Sequence, residues 1–359
     1  MTGLRIPRRT LALLLGASAV LALLQLSGLA FWQGLAINFA IFIILVQALN
    51  LASGFTGVFS LGHIGFMAIG AYTSAILTLP LTRKAEYLPN LPGWLAGIHL
   101  DGMIGPIPVG FVAATLIAGL VVMLVASLVG AVLMRLSGHF VAVATLGFLV
   151  IVRVILFNAD DITRGSRTFS NVTPYTNLWW AWGWAAFAIY LAWRLKFSGF
   201  GRAMFAQKGD RWAARSIGIS ILRPRLIAFV AGAFLTAIAG SLYAHFITSF
   251  SPTVFYFDLT FRVITMLVVG GMGSVSGAVI GTALVLALAE ALRRIEGATL
   301  LYGLGGILLA VFFIAVIIFR PSGILGQHEL DLDRVFAWRP TRRRGRPGSR
   351  ASETEPPPT

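Results

Sequence analysis

The chain has 359 residues, of which 57% are hydrophobic and only 11% are charged, whereas a soluble domain has about 25% charged residues. The ionisable surface is too small for a soluble globule, so the composition predicts a polytopic membrane protein. No cysteine is present, which excludes disulfides, thiolate metal sites and cysteine catalysis. The net charge is +15, but the basic clusters flank apolar runs, as cytoplasmic loops do, which argues against nucleic-acid binding.

Apolar runs of about the length of a membrane span follow one another along the chain. The first, residues 11–30, follows a basic start and could be a cleaved signal peptide, although a spanning helix is favoured because further runs follow. The other predicted spans cover residues 35–50, 58–79, 107–134, 139–157, 178–195, 225–249, 258–272, 275–292 and 300–319. The predicted fold is therefore all-α, a polytopic membrane bundle of about eight to ten transmembrane helices with glycine-broken segments.

Charge alternation favours ten crossings with both termini in the cytoplasm, because the most basic loops then lie inside. An eight-crossing count would require a second short segment, such as residues 35–50, to stop short of spanning. Residues 1–325 are predicted to form the transmembrane domain, with a long cytoplasmic connection over 194–225. Residues 326–359 are predicted to form a basic, largely disordered cytoplasmic tail, since their terminal part has almost no apolar side chains to bury.

The first informative stretch is rich in glycine and polar residues and begins at Asn50. It includes Ser60, Gly62, His63 and Gly65, a poor composition for an uninterrupted helix facing lipid. Either the segment is discontinuous and lines a pathway, or its small residues allow tight helix packing; both interpretations stay open. A single histidine is more often a buried, hydrogen-bonded residue than a proton relay, and it cannot form a metal site alone.

The second stretch contains two adjacent glycines followed by a glycine repeat. Gly270 and Gly271 are predicted to break the preceding helix, and Gly273, Gly277 and Gly281 recur every four residues, which favours close approach of a neighbouring helix. With the first stretch, this gives one glycine-interrupted segment in each half of the chain. Transporters built around a pathway at the membrane midplane have this layout.

The third stretch is the basic connection over residues 194–225. It contains an amphipathic core that is too short and too charged to span a membrane. One interpretation is a short surface helix that docks onto a cytoplasmic partner, and the alternative is a charge cluster that only sets topology. The small residues Ala213, Ala214 and Gly218 favour docking.

Several catalytic signatures are missing from this sequence. A phosphate-binding P-loop needs Gly-Lys followed by Ser or Thr, and none of the three lysines follows a glycine. Zinc-protease and serine-hydrolase motifs are also missing. Carboxylates within apolar segments are few, with Asp258 and Glu290 near predicted span ends, so coupling to protons or sodium is not favoured. These missing motifs predict that the chain is not itself an enzyme and that it uses no metal and no cofactor.

Taken together, these stretches resemble the branched-chain amino acid type of ABC transporter permease, specifically its LivM-type subunit. The resemblance covers roughly residues 45–325. The matching residues are Leu49–Leu51, Gly54, Gly57, Ser60–His63, Phe66, Gly70–Tyr72, Ala144–Gly147, Thr163, Gly165, Gly201–Ala203, Ala213–Ala214, Gly218–Ile219, Ala239–Ala244, Gly270–Gly271, Gly273–Ser274, Gly277 and Arg320–Gly323.

This resemblance implies a bacterial inner-membrane importer that carries branched-chain or related amino acids. Its partners would be a related second permease subunit, two cytoplasmic ABC ATPases that hydrolyse ATP, an external substrate-binding protein and the surrounding membrane lipid. The coupling candidates are Ala213, Ala214, Gly218, Arg202 and Arg211. The candidates for lining the pathway are Asn50, Ser60, His63 and Gly273. The candidates for helix breaks and packing are Gly62, Gly65, Gly270, Gly271, Gly277 and Gly281.

Three alternatives to this function remain open at the level of sequence. The same type of permease could carry urea, short amides or small organic acids. An ion-coupled carrier would act alone, without an ATPase. A membrane scaffold or assembly factor would show no flux at all.

Overall fold

Long apolar runs form the helices of this protein, because a segment in hydrocarbon must satisfy its backbone polar groups internally. The computed structural model describes residues 18–19, 21–100, 102–103, 108–136, 138–299 and 303–330. After a helical stretch at residues 21–26, the helices are α1 (Ala30–Leu49), α2 (His63–Thr78), α3 (Leu81–Tyr87), α4 (Gly93–Ala96), α5 (Val109–Leu133), α6 (Phe140–Asn158), α7 (Asp160–Thr163), α8 (Leu178–Lys196), α9 (Gly199–Gly209), α10 (Arg211–Ser216), α11 (Leu222–Ile247), α12 (Phe257–Gly270), α13 (Val275–Thr299) and α14 (Leu304–Phe319). A π-helical turn, Asn50–Gly54, continues α1.

Within the described ranges, five helices are long and apolar enough to cross a membrane: Ala30–Gly54, Val109–Leu133, Phe140–Asn158, Leu222–Ile247 and Val275–Thr299. Helices α2 and α3 would make a sixth span if the pair, bent by 119°, counts as one, and α14 is a shorter apolar helix. The described residues contain no β-strand, only an isolated bridge between Phe169 and Phe250. The predicted all-α membrane bundle is thereby confirmed, while the exact number of crossings stays a prediction.

Several predicted spans have different bounds in the structure; the one over 35–50, for example, begins at Ala30. The span expected over residues 58–79 starts as a helix only at His63. Hydroxyl groups replace helical hydrogen bonds just before it, since the Ser60 N–H donates to Ser53 Oγ and the Val58 N–H donates to Thr56 Oγ1. The span expected over 275–292 continues to Thr299. In the first predicted run, 11–30, residues 11–17 and 20 lie outside the described residues, and the described part is helical over 21–26 and leaves the helix before α1 begins.

Helix α11 occupies the centre of the bundle and packs against α2, α5 and α1. Its buried face consists largely of alanine, glycine, serine and threonine, which lets neighbouring backbones approach closely. Gly240 lies against the backbone of Met67 in α2, and Gly70 lies against the backbone of Ala237. The hydroxyl groups of Thr115 and Ser241 are 2.7 Å apart. Small residues and hydroxyl pairs therefore hold the centre together.

The connections lie at two ends of the bundle. We call the end that carries α9 and α10 the basic end; there Lys208 contacts the turn that follows α1. At the opposite end, Thr78 and His245 share a hydrogen bond of 2.8 Å. The described residues up to Glu329 belong to one compact unit. The predicted division between residues 325 and 326 stays a prediction, and most of the predicted tail lies outside the described residues.

Candidate functional site

Two glycine-rich breaks interrupt the helices: residues 50–62 between α1 and α2, and residues 271–274 between α12 and α13. They meet at the basic end, where one buried side-chain amide joins them. Asn50 lies in the π-helical turn and is fully buried. Its Oδ1 accepts a hydrogen bond from the Gly273 N–H at 2.9 Å, and its Nδ2 donates to the Ser274 carbonyl at 2.9 Å. One turn earlier, Gln47 Nε2 donates to the Val275 carbonyl at 2.8 Å. The end of α1 therefore holds the link between α12 and α13 through backbone groups.

Lys208, on α9, bridges the same two breaks from the side of the basic connection. Its ammonium donates to the Gly54 carbonyl at 2.7 Å and to the Met272 carbonyl at 3.4 Å. On the same helix, the ring of Phe205 packs against the ring of Phe55, with the centroids 5.3 Å apart. Burial, and then the neighbouring Lys196 ammonium, lower the pKa of Lys208. A displacement of α9 would therefore act on both breaks together.

Lys196 and Glu329 form a second polar cluster on the link between α12 and α13. The Lys196 ammonium donates to the Gly273 carbonyl at 2.7 Å and pairs with the Glu329 carboxylate. That carboxylate accepts hydrogen bonds from the N–H groups of Val275 and Ser276 at 2.8 and 2.9 Å. It therefore caps the first turn of α13, where a negative charge is favourable.

Opposing effects act on the pKa of Glu329. Burial alone would raise the pKa of its carboxyl, but the Lys196 ammonium, the Ser276 hydroxyl and the N–H groups of Ser276 and Val275 together hold it below its usual value. The carboxylate is therefore ionised at neutral pH. Together with these hydrogen bonds, the ion pair holds Glu329, three residues after Gly326, against the start of α13.

The predicted break and packing glycines lie where helices approach each other. Gly270 ends α12, and Gly277 and Gly281 of α13 lie against the backbone of its last turns. Gly273 precedes α13 rather than continuing the repeat; its φ of +103° is a conformation that side chains disfavour.

The other predicted break and packing glycines also lie in close contacts. Gly271 lies against the backbone of Gly326, and Gly62 and Gly65 lie against Thr145 and Phe148 of α6.

The remaining pathway candidates are packed inside this chain rather than facing an open channel. Ser60 and His63 are buried, and the Ser60 Oγ is 2.9 Å from the His63 Nδ1. The His63 Nε2 is buried without a hydrogen-bond partner among the described residues. The structure therefore brings Asn50 and Gly273 together but places Ser60 and His63 in a separate cluster against α11, near Phe229. Their role in lining a pathway stays a prediction.

The coupling candidates lie on and around the short helix α10. The Asp210 side chain caps it by accepting from the N–H groups of Trp212 and Ala213, and the Ile219 N–H donates to the Ala214 carbonyl after its last turn. Trp212 is 77% exposed and Ile217 is 74% exposed, although both are apolar. Ala213 and Gly218 are exposed beside them, whereas Ala214 is buried.

The arginine candidates occupy two positions around this short helix. Arg211 opens α10 and is half-buried, and Arg202 is exposed on α9. Gly218 has a φ of +82°, so a larger residue there would strain the turn as well as cover the surface. An exposed apolar patch beside a capped helix fits a protein partner.

Comparison with known proteins decides the family of this chain. The model of the branched-chain amino acid transport system / permease component family matches residues 31–319. The chain belongs to this permease family. The permease is thus a multi-pass membrane protein of a transport family, as the resemblance predicted. No solved structure gives a significant match.

The permease is similar to proteins named as subunits of one transport system. The high-affinity branched-chain amino acid transport system permease proteins LivM of Salmonella typhimurium strain LT2 and Escherichia coli strain K12 are each 30% identical to it, over 79% of this chain and 68% of the relative. The permease protein LivH of Escherichia coli strain K12 is 32% identical over 49% of this chain and 56% of the relative.

Sequence reasoning missed the charged residues that join the breaks of this permease. Lys196, Lys208 and Glu329 were not among the site candidates. One feature of the sequence could have indicated the two lysines. Nearly all cationic side chains of the chain are arginines, yet two of its three lysines, Lys196 and Lys208, lie at the end of α8 and in α9. A compact ammonium on a flexible stem reaches two carbonyls more readily than a planar guanidinium. The partner of Glu329 depends on tertiary packing and left no local pattern.

Proposed function

We propose that this permease is one of two related membrane-spanning subunits of an ATP-driven importer for branched-chain or related amino acids. Two cytoplasmic ABC ATPases would supply the energy, and an external binding protein would deliver the substrate. The basic end then lies in the cytoplasm of a bacterial inner membrane, with both termini inside, as the excess of arginine there favours. Family membership supports the transport role, and the sequence has no P-loop, so ATP would be hydrolysed by the partner.

One observation carries the coupling mechanism: Lys208 connects α9 to both glycine breaks. Helix α10 follows α9 directly and presents exposed Trp212 and Ile217. An ATPase docked on α10 would move α9 when it binds or releases ATP. The Lys208 ammonium would carry that displacement to the carbonyls of Gly54 and Met272, because polar networks and rigid helices transmit two-state motion. The breaks are the segments that can bend in response.

Reconstitution in proteoliposomes tests the transport proposal. The chain together with its second permease subunit, both ATPases and the binding protein is expected to accumulate leucine against a gradient only when ATP is supplied inside. The chain alone, with a proton or sodium gradient, is expected to move nothing. Uphill uptake by the chain alone would identify an ion-coupled carrier and overturn the proposal. Absence of flux in the complete assembly, with binding of leucine to the external protein established, would do the same.

Docking of the ATPases on α10 is tested by a bulky substitution at its exposed alanine. Ala213→Trp is expected to reduce ATPase recovery in co-purification by roughly tenfold, because an ill-fitting large side chain in a packed interface costs about 1–3 kcal/mol. Ala213 is preferable to Gly218 because its backbone needs no special conformation. Ala298→Trp, an exposed alanine near the end of α13 at the opposite end of the bundle, is the matched control and should leave recovery unchanged. Equal recovery for both variants would contradict docking through α10.

A further inference from the structure

A groove of about 720 Å³ opens at the basic end between α10, the end of α5 and the start of α11. Four arginines line it: Arg135, Arg211, Arg215 and Arg225. No aspartate or glutamate is among its lining residues in the described part of the chain. We call it the arginine groove. None of its described lining residues carries a negative charge to compensate the arginines, so the groove favours an anionic ligand.

Arg225 is the residue that most clearly requires a ligand. Its side chain is only 3% exposed, and its Nε and Nη2 atoms have no hydrogen-bond partner among the described residues. A buried guanidinium without a partner is costly, because it has lost its hydration without gaining an opposite charge. Since Arg225 is among the residues that line the groove, an anion bound there would supply the opposite charge that this guanidinium lacks within the described residues.

The start of α11 adds to the positive potential in the same place. Ile221 and Leu222 line the groove, and α11 begins at Leu222 without a side-chain cap and without an acidic residue in its first turn. The first N–H groups of a helix lack internal partners and carry the positive end of its dipole. Helix α11 has 26 residues, so this dipole is fully developed. The backbone and the four arginines therefore favour the same charge.

The position of the groove identifies the kind of anion. Helix α5 ends at Leu133 and α11 begins at Leu222, and both helices are long and apolar enough to cross a membrane. The groove between their ends therefore lies at the level of the lipid headgroups. Apolar side chains, including Met134 and Leu136, line it beside the arginines. That mixture suits a molecule with a phosphate group and acyl chains. Trp212 of α10 and Gly218 just after it also line the groove, whereas Ala213 and Ile217 are not among its described lining residues and remain available for a protein partner.

We propose that the arginine groove binds the phosphate group of an anionic phospholipid. The lining has no carboxylate to pair with the ammonium of a zwitterionic headgroup, so phosphatidylglycerol is preferred over phosphatidylcholine. Arg211 and Arg215 come from α10, whereas Arg135 follows α5 and Arg225 lies in α11. The bound phosphate therefore ties the short helix to two spanning helices. This site is a property of the chain in its membrane and does not depend on the transported substrate.

Native mass spectrometry of the purified full-length chain in detergent tests the proposal. The chain is incubated with phosphatidylglycerol, with phosphatidylcholine or with inorganic phosphate alone. We expect retention of phosphatidylglycerol above that of phosphatidylcholine and little retention of free phosphate. Arg225→Gln and the double variant Arg135→Gln, Arg215→Gln are each expected to lower phosphatidylglycerol retention by about tenfold or more, as loss of charge-assisted hydrogen bonds does.

The controls separate folding and general charge from this site. Arg135 and Arg215 are exposed, so the double variant should fold even if Arg225→Gln does not; circular dichroism and monodisperse elution check this. Arg194→Gln removes an exposed arginine at the same end that does not line the groove, and it should retain phosphatidylglycerol fully. Equal retention of both lipids, equal retention by the double variant, or equally strong binding of free phosphate would overturn the proposal. So would loss of ATPase recovery in the double variant with lipid retention unchanged, since the arginines would then bind an acidic protein surface.

Discussion

In the importer proposed above, replacing Lys208 with methionine is expected to abolish most ATP-driven uptake, while the chain still folds and still co-purifies with the ATPases. The ammonium of Lys208 is the group that contacts both breaks, at the Gly54 and Met272 carbonyls. Methionine has nearly the same length and apolar stem but cannot donate a hydrogen bond. The substitution therefore removes the hydrogen bonds between α9 and the breaks and keeps most of the packing, including the contact of Phe205 with Phe55.

The size of this effect follows from the bonds that are lost. A hydrogen bond from a charged group contributes about 1.5–3 kcal/mol, which corresponds to roughly ten- to a hundredfold in a rate or equilibrium that depends on it. Folding should be less affected, because Lys208 is only half-buried and water can hydrate the two carbonyls once the ammonium is gone. ATPase recovery should be normal, because the surface of α10 is unchanged.

The measurement compares leucine uptake and ATP hydrolysis in the same proteoliposomes. Lys208→Met should hydrolyse ATP at a rate that no longer responds to the substrate-loaded binding protein. Lys208→Arg keeps the cation but changes its shape, and it should retain part of the uptake. Arg223→Met, which removes an exposed cation from the same connection, should behave like the unmodified chain. Normal uptake by Lys208→Met would show that the displacement reaches the breaks by another route.

The sequence predicted the bundle well because membrane-spanning helices are local structures. Length, apolarity and charge alternation are sufficient to locate segments such as α5 and α11, since each satisfies its own backbone. The glycine repeat at Gly277 and Gly281 likewise signals close packing without revealing the partner, which proves to be the end of α12. The start of α2 at His63 was missed because side-chain hydroxyls replace helical bonds in the preceding residues, an arrangement that hydropathy does not detect.

The candidate site was only partly predictable, for a related reason. Asn50 and Gly273 both stood out as polar or glycine residues within apolar segments, but nothing in the sequence indicated that they bond to each other across more than 200 positions. Lys208 and Glu329 stood in polar surroundings, where charged residues are ordinary. Their importance depends on which backbone groups remain unsatisfied at the breaks, and that is fixed only when the helices are packed.

Replacing Asn50 with leucine is expected to destabilise the fold far more than replacing Gln47 with methionine. Both amides are buried on α1 and its π-helical extension, three residues apart, and both contact the link before α13. Asn50 uses its donor and its acceptor, so Asn50→Leu leaves the Gly273 N–H without its acceptor and removes one of the two hydrogen bonds to the Ser274 carbonyl, which keeps the bond from the Ala278 N–H. The orphaned N–H group costs about 1–3 kcal/mol.

Gln47 is a matched control because only the nitrogen of its side-chain amide forms a hydrogen bond to the described residues. Its Nε2 donates to the Val275 carbonyl, whereas its Oε1 is buried without a partner among the described residues. Gln47→Met removes one hydrogen bond to the Val275 carbonyl, which keeps its helical partner because α13 begins there. It also removes one unsatisfied oxygen, so the net effect on stability is small. Thermal unfolding in detergent should show a Tm lower by several degrees for Asn50→Leu and little change for Gln47→Met. Similar shifts for the two variants would mean that burial of an amide, rather than the clamp on Gly273 and Ser274, determines stability at this break.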